Sequence, residues 1–109
     1  QKTAYEMIMS RRASILQILS ENRAKFRDVG VAKMGVFGSV ARGEDVGHSD
    51  VDVFVELAPD INRARSFHRI CDLLDDLIGE PYDVVTKDGL SPYFGPKILN
   101  QTLYVELAS

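Results

Sequence analysis

Apolar residues recur at Ile8, Ile15, Leu16, Leu19 and Phe26 with the spacing of one side of a 3.6-residue helix, which predicts an amphipathic helix from about Glu6 to Phe26. A short apolar-rich stretch, Lys33 to Phe37, comes next. After the turn-forming residues Gly43, Gly47 and Ser49, the segment Asp50 to Leu57 alternates strictly, with Val51, Val53, Val55 and Leu57 on one face, the mark of a β-strand. Pro59 and Asp60 end it. Phe67, Ile70, Cys71, Leu74, Leu77 and Ile78 then fall on one helical stripe, which Gly79 closes. Tyr82 to Thr86 reads as a third strand, and Pro96 opens a last helix to about Thr102 that turns Ile98, Leu99 and Leu103 inward. The predicted order is αββαβα: an α+β fold, one mixed sheet with flanking helices. No repeat, low-complexity run or long linker interrupts it, so residues 1–109 read as a single domain.

Composition narrows the partners. Thirteen Lys and Arg against sixteen Asp and Glu leave a net charge of −3, which argues against a basic coat for nucleic acid. No direct nucleic-acid contact is expected, and any bound phosphate must be held locally. Cys71 is the one cysteine, so a disulfide framework is excluded. No apolar run approaches the roughly 18 residues that cross a bilayer, and the N-terminus lacks the layout of a signal peptide, so a cytoplasmic location away from membranes is expected.

Strand alternation supplies the first chemical clue. If Val51, Val53, Val55 and Leu57 face the helices, then Asp50, Asp52, Phe54 and Glu56 face the other way. Side chains two apart on a strand are about 6.5 Å apart along it, close enough for Asp50 and Asp52 to share a cation. Such hard oxygen ligands suit Mg²⁺, which typically takes one or two carboxylates and phosphate oxygens. Asp83 lies in the third strand, and if that strand sits beside Asp50 to Leu57 the acids number three. The second clue is the connection from Gly38 to Ser49, far longer than a hairpin requires. Gly38 lets a phosphate approach the backbone, the Ser39 hydroxyl and N–H groups of a short helical turn can donate to it, and Arg42 adds positive charge. Because this loop leads into Asp50 and Asp52, nucleotide and metal would share one site.

Gly38-Ser39, ten residues, then Asp50-Val51-Asp52 resembles the signature of the DNA polymerase β-like nucleotidyltransferases. The finer pattern Gly38-Ser39-Val40-Ala41-Arg42-Gly43-Glu44 with Ser49-Asp50 is similar to the minimal nucleotidyltransferases, many of which are antitoxins encoded beside a helical HEPN-type toxin. The resemblance implies the polymerase β-like fold, an NTP held at Gly38 and Ser39 with Arg42 and Ser49 nearby, and Mg²⁺, two ions, held by the catalytic residues Asp50, Asp52 and Asp83. It implies transfer of a nucleoside monophosphate, AMP from ATP, to a hydroxyl acceptor. A short chain leaves little wall for a second substrate, which favours a tyrosine of a partner toxin over a small molecule. A small-molecule nucleotidyltransferase, or an antitoxin that acts by contact alone, are the alternatives.

Other polar residues have plainer readings. Arg42 can pair with Glu44 or Asp45, His48 is expected to be solvated, and Cys71 packs as a small hydrophobe. Arg63, Arg65 and Arg69 share a helix with Asp72, Asp75 and Asp76, which suggests a salt-bridged face.

Overall fold

In the computed structural model, which describes residues 10–44, 50–93 and 95–107, the first helical stretch is broken once. Helix α1 (Arg11–Glu21) is capped by Ser10, whose Oγ accepts from the Ala13 N–H at 3.0 Å. Asn22 ends it, donating from Nδ2 to the Ile18 carbonyl at 2.8 Å, and the chain restarts as α2 (Arg23–Asp28). Ile15, Leu19 and Phe26 are buried on both sides of the break, so the apolar spacing concealed it. The start expected at Glu6 lies outside the described residues.

Strand β1 (Val31–Phe37) runs into a short helix α3 (Gly38–Arg42), and β2 (Val51–Leu57) leads to α4 (Arg63–Ile78). The Asn62 side chain caps α4 by accepting from the Arg65 N–H at 3.0 Å, and Gly79 in the left-handed region ends it. Then follow β3 (Tyr82–Thr86), a 3₁₀ turn (Lys87–Gly89), α5 (Gly95–Gln101) and β4 (Leu103–Val105). The four strands form one mixed sheet in the order β3-β2-β1-β4. Strand β1 pairs antiparallel with β2 and with β4, whereas β2 and β3 are parallel and need α4 as their crossover. The α+β class and the mixed sheet with flanking helices match the sequence reading. The short α3 and the edge strand β4 enlarge its element order.

Met34, Val36, Val51, Val53 and Val55 meet Ile70 and Leu74 in the main core, as the strand and helix periods require. Two apolar assignments change. Phe54, on the opposite sheet face with Asp52 and Glu56, is only 1% exposed. Its ring meets Tyr104 edge to face at 6.1 Å, with no side chain at Gly35, the register partner of both, to separate them. Leu103, expected to turn inward at the end of the final helix, begins β4 opposite Val36 and is 38% exposed. Its i+4 spacing from Leu99 mimics a helix, but α5 stops at Gln101 and sheet pairing takes over. The expected salt-bridged face of α4 is also absent as drawn: Arg63 pairs with Asp88 at 2.7 Å, and no ion pair joins Arg65 or Arg69 to the aspartates of α4.

Gly35 makes the β1/β4 contact possible, since a Cβ there would lie 2.6 Å from the Leu103 carbonyl oxygen, a backbone atom with little room to yield. Gly35→Ala is therefore expected to destabilise the fold by about 1 to 3 kcal/mol. Urea unfolding that returns the parental midpoint would show that β4 does not approach β1 this closely.

Candidate active site

At the end of β1 the chain must turn sharply from a strand into α3, and Gly38 does this with φ +75°, a conformation in which L side chains are strained. Phe37 is the register partner of Asp52, so Gly38 follows directly beside that carboxylate. A Cβ on Gly38 would overlap Asp52 Oδ2 and lie 3.1 Å from Asp52 Cγ. Glycine is thus required twice, for the turn and for the approach of backbone to acid. Ser39 is the next residue of α3, and its carbonyl accepts from the Glu44 N–H at 3.0 Å. No side chain caps the N-terminus of α3.

The parallel pairing of β2 with β3 sets Asp52 opposite Asp83, and Asp50, expected as the first strand residue, immediately precedes β2 and is close enough for its charge to act on Asp52. Asp52 is partly buried, while Asp50 and Asp83 are exposed. Burial raises the Asp52 carboxyl above its ordinary value, and the charges of Asp83 and Asp50 raise it further, against a smaller opposing pull from Arg42. Arg42 points Nε at Glu44 Oε2 at 2.9 Å, the pairing anticipated as its plainer role, and places Nη1 3.5 Å from Gln101 Oε1. Gly38, Ser39, Arg42, Asp50, Asp52 and Asp83 therefore gather at one end of the sheet. Among the described residues no three His, Cys, Asp or Glu side chains form a ready-made metal cage, and the acids act on one another through charge. Ser49 and His48 lie outside the described residues.

Two supporting contacts had no signal in the sequence spacing. Arg12 Nη1 donates to the Ala41 carbonyl at 3.1 Å and braces α3 from α1. The Tyr82 hydroxyl lies 2.6 Å from Asp75 Oδ1 and 2.9 Å from the Cys71 carbonyl, tying β3 to α4 one residue before Asp83. Burial and Asp75 both push the Tyr82 hydroxyl to titrate higher than usual, so it stays a neutral donor. The first joins elements far apart in the chain and the second spans the change from helix to strand, so neither falls within a single helical or strand period.

The nucleotidyltransferase domain family matches residues 15–105 of the chain. The chain is 33% identical over 100 residues to the protein adenylyltransferase MntA of Thermococcus cleftensis, covering 91% of this chain and 100% of that one. It is also 33% identical over 98 residues to a protein of Methanocaldococcus jannaschii named as a protein adenylyltransferase, across 85% of this chain and 96% of that one. Among solved structures, a minimal nucleotidyltransferase superposes with a TM-score of 0.67 at 28% identity, covering 88% of this chain and 96% of its own. A toxin-antitoxin structure solved with AMP-PNP shares the fold at 19% identity and a TM-score of 0.58, over 86% of this chain and 71% of that one.

The raised Asp52 carboxyl has a consequence for stability. Its contribution is fully present below the ordinary value of 3.8 and is lost as pH rises through the higher folded value, so ionised Asp52 is a net cost at neutral pH. Asp52→Asn is expected to raise Tm at pH 7 by an amount on the order of a few degrees, with the gain shrinking as pH falls below the ordinary carboxylate range. Differential scanning calorimetry across pH 3 to 8 checks this, and a variant less stable than the parent at pH 7 would contradict it.

Proposed function

The chain belongs to the nucleotidyltransferase domain family and is a nucleotidyltransferase, and on that premise we propose that it transfers AMP from ATP to a hydroxyl group of a partner toxin, acting as an antitoxin. The adenylyltransferase names of its relatives support the transferred group and a protein acceptor. The toxin-antitoxin assembly with AMP-PNP, similar in fold, supports the partner and the nucleotide. A tyrosine of a helical HEPN-type toxin is the acceptor proposed here.

One observation carries the reading: the Gly38 backbone lies against the carboxylate of Asp52, and Asp52 lies opposite Asp83. Nucleotide phosphates held along Gly38 and Ser39 would therefore adjoin the acids. The Gly38 and Ser39 N–H groups and the Ser39 hydroxyl bind and orient the triphosphate, with Arg42 adding positive charge. Ser49 is proposed to join them from the loop before β2. The oxygen-only donor set of Asp50, Asp52 and Asp83 fits Mg²⁺, and a cation would relieve the repulsion from Asp83 and Asp50 that adds to burial in raising Asp52. When bound, the ions stabilise charge on phosphoryl oxygens and lower the pKa of an attacking hydroxyl. Asp83, exposed at the open side, holds the place where the acceptor hydroxyl gives up its proton. The acceptor oxygen forms its bond to the α-phosphorus as the bond to the bridging oxygen breaks, and pyrophosphate leaves.

Incubation with labelled ATP, Mg²⁺ and the product of the neighbouring gene tests the proposal. Label on a tyrosine of that protein is expected, located by mass spectrometry. Label on a small molecule would favour the small-molecule alternative, and an unlabelled yet neutralised partner would favour inhibition by contact.

Two further outcomes concern the acids. ATP and Mg²⁺ should bind interdependently in calorimetry, and Asp50→Asn with Asp52→Asn should weaken the Mg²⁺-dependent binding of ATP, because two of the carboxylates that would hold the cation beside the triphosphate are gone. Asp83→Asn should slow single-turnover transfer by about 10² to 10⁴-fold while ATP affinity stays within a few-fold of the parent. Transfer at the parental rate would remove Asp83 from the site.

A further inference from the structure

All eight arginines of the chain lie among the described residues, and five of them have a partner there. Arg11 pairs with Glu80, Arg12 donates to the Ala41 carbonyl, Arg23 to the Ser20 carbonyl, Arg42 to Glu44, and Arg63 pairs with Asp88. Arg27, Arg65 and Arg69 are the three whose guanidinium groups make no hydrogen bond or ion pair among the described residues, and all three line one cavity of about 400 Å³. Arg27 comes from the last turn of α2, and Arg65 and Arg69 from successive turns of α4, four residues apart on one face. The N-cap of α4, Asn62, and Ser66 of its first turn also lie in the cavity wall. Asp28 is the one carboxylate in the lining, and it lies within 4.0 Å of none of the three guanidinium groups.

We propose that this cavity is a binding site for a phosphate-bearing small anion, held by Arg27, Arg65 and Arg69 at the pole of the sheet opposite the candidate active site. The three arginines are exposed along the wall of one cavity, and a ligand that supplies negative charge would give them the partner that no carboxylate of this chain provides. Guanidinium forks match phosphate oxygens two at a time, which a pocket lined by three of them can exploit from several sides. The volume suits a pyrophosphate or a mononucleotide, within the range of ordinary small-molecule sites. The site is separate from the acids. Cavity residues Gly30 and Ala58 flank the Val31/Leu57 end of the β1/β2 ladder, and the Phe37/Asp52 pair closes the other end, about 20 Å away by strand rise. The inference therefore stands whether or not the proposed acceptor is correct.

The test uses the full chain in EDTA, so that no cation recruits phosphate to the aspartates. Pyrophosphate and ADP are titrated separately by calorimetry, and the arginine Nε–H signals are followed by NMR in the parent protein. Pyrophosphate is expected to bind, to shift the Arg27, Arg65 and Arg69 signals, and to weaken as salt is raised. Arg65→Gln with Arg69→Gln should weaken binding by at least about tenfold, the scale of one lost charge-assisted hydrogen bond, and Arg27→Gln should do the same independently. Arg23→Gln, outside the cavity lining, should leave the affinity unchanged. Equal affinity for ADP would mean that phosphate alone is read, and tighter ADP binding that the nucleoside is read as well; both support the site. Absence of pyrophosphate binding at millimolar concentration would overturn it and favour contact with an acidic protein surface. Shifts confined to other arginines, or undiminished binding by the arginine variants, would equally overturn it.

Discussion

The contact on which the rest of the candidate site depends is the one between the backbone of Gly38 and the carboxylate of Asp52. Two neighbouring strands bring them together, and only a residue without a Cβ can occupy the position. The same glycine turns β1 into α3, which sets Ser39 and the free helix N-terminus beside the acids. Replacing it would disturb the turn and the carboxylate at once. The Gly-Ser dipeptide and the Asp-x-Asp are therefore parts of one packing arrangement, and their sequence separation is the length of chain needed to leave α3 and return along β2.

Around that contact the fold accepts an electrostatic cost. Asp52 is partly buried with Asp83 across the ladder and Asp50 just before the strand, and Arg42 offsets the repulsion only in part. Elsewhere the architecture is conventional, with valines of β2 packed under α4 and the crossover helix capped at both ends. The local conflict is held in place by distant supports. Arg12 pins α3 and Tyr82 pins β3, so the acids cannot relax apart without disturbing α1 and α4.

The charge distribution has two poles. Acids collect where β1 ends and β2 begins, and arginines without acidic partners collect where β1 begins and β2 ends. A net charge of −3 conceals this separation. The polymer order alone does not reveal it either, since Arg27 and Arg65 belong to different helices.

The sequence by itself determined the α+β class, the central strand Asp50 to Leu57 and the stripe of the long helix, because a two-residue or 3.6-residue period is a local property that packing on one face enforces. It also anticipated that Gly38 and Ser39 neighbour Asp52, because one loop leads from the pair straight into the acidic segment. Other features were decided only by tertiary structure. The break at Asn22 leaves the apolar period intact, and Leu103 keeps a helical spacing from Leu99 although β1 recruits it as an edge strand. Phe54 alternates like a solvent-facing residue yet is buried, because Gly35 leaves room for Tyr104 to reach it. The pairing of Asp83 with Asp52 required β3 to lie parallel beside β2, and the partnerless state of Arg65 and Arg69 required their helix aspartates to point elsewhere. Local periodicity records which face of an element is buried, whereas the identity of the neighbour across that face depends on contacts between residues far apart in the chain.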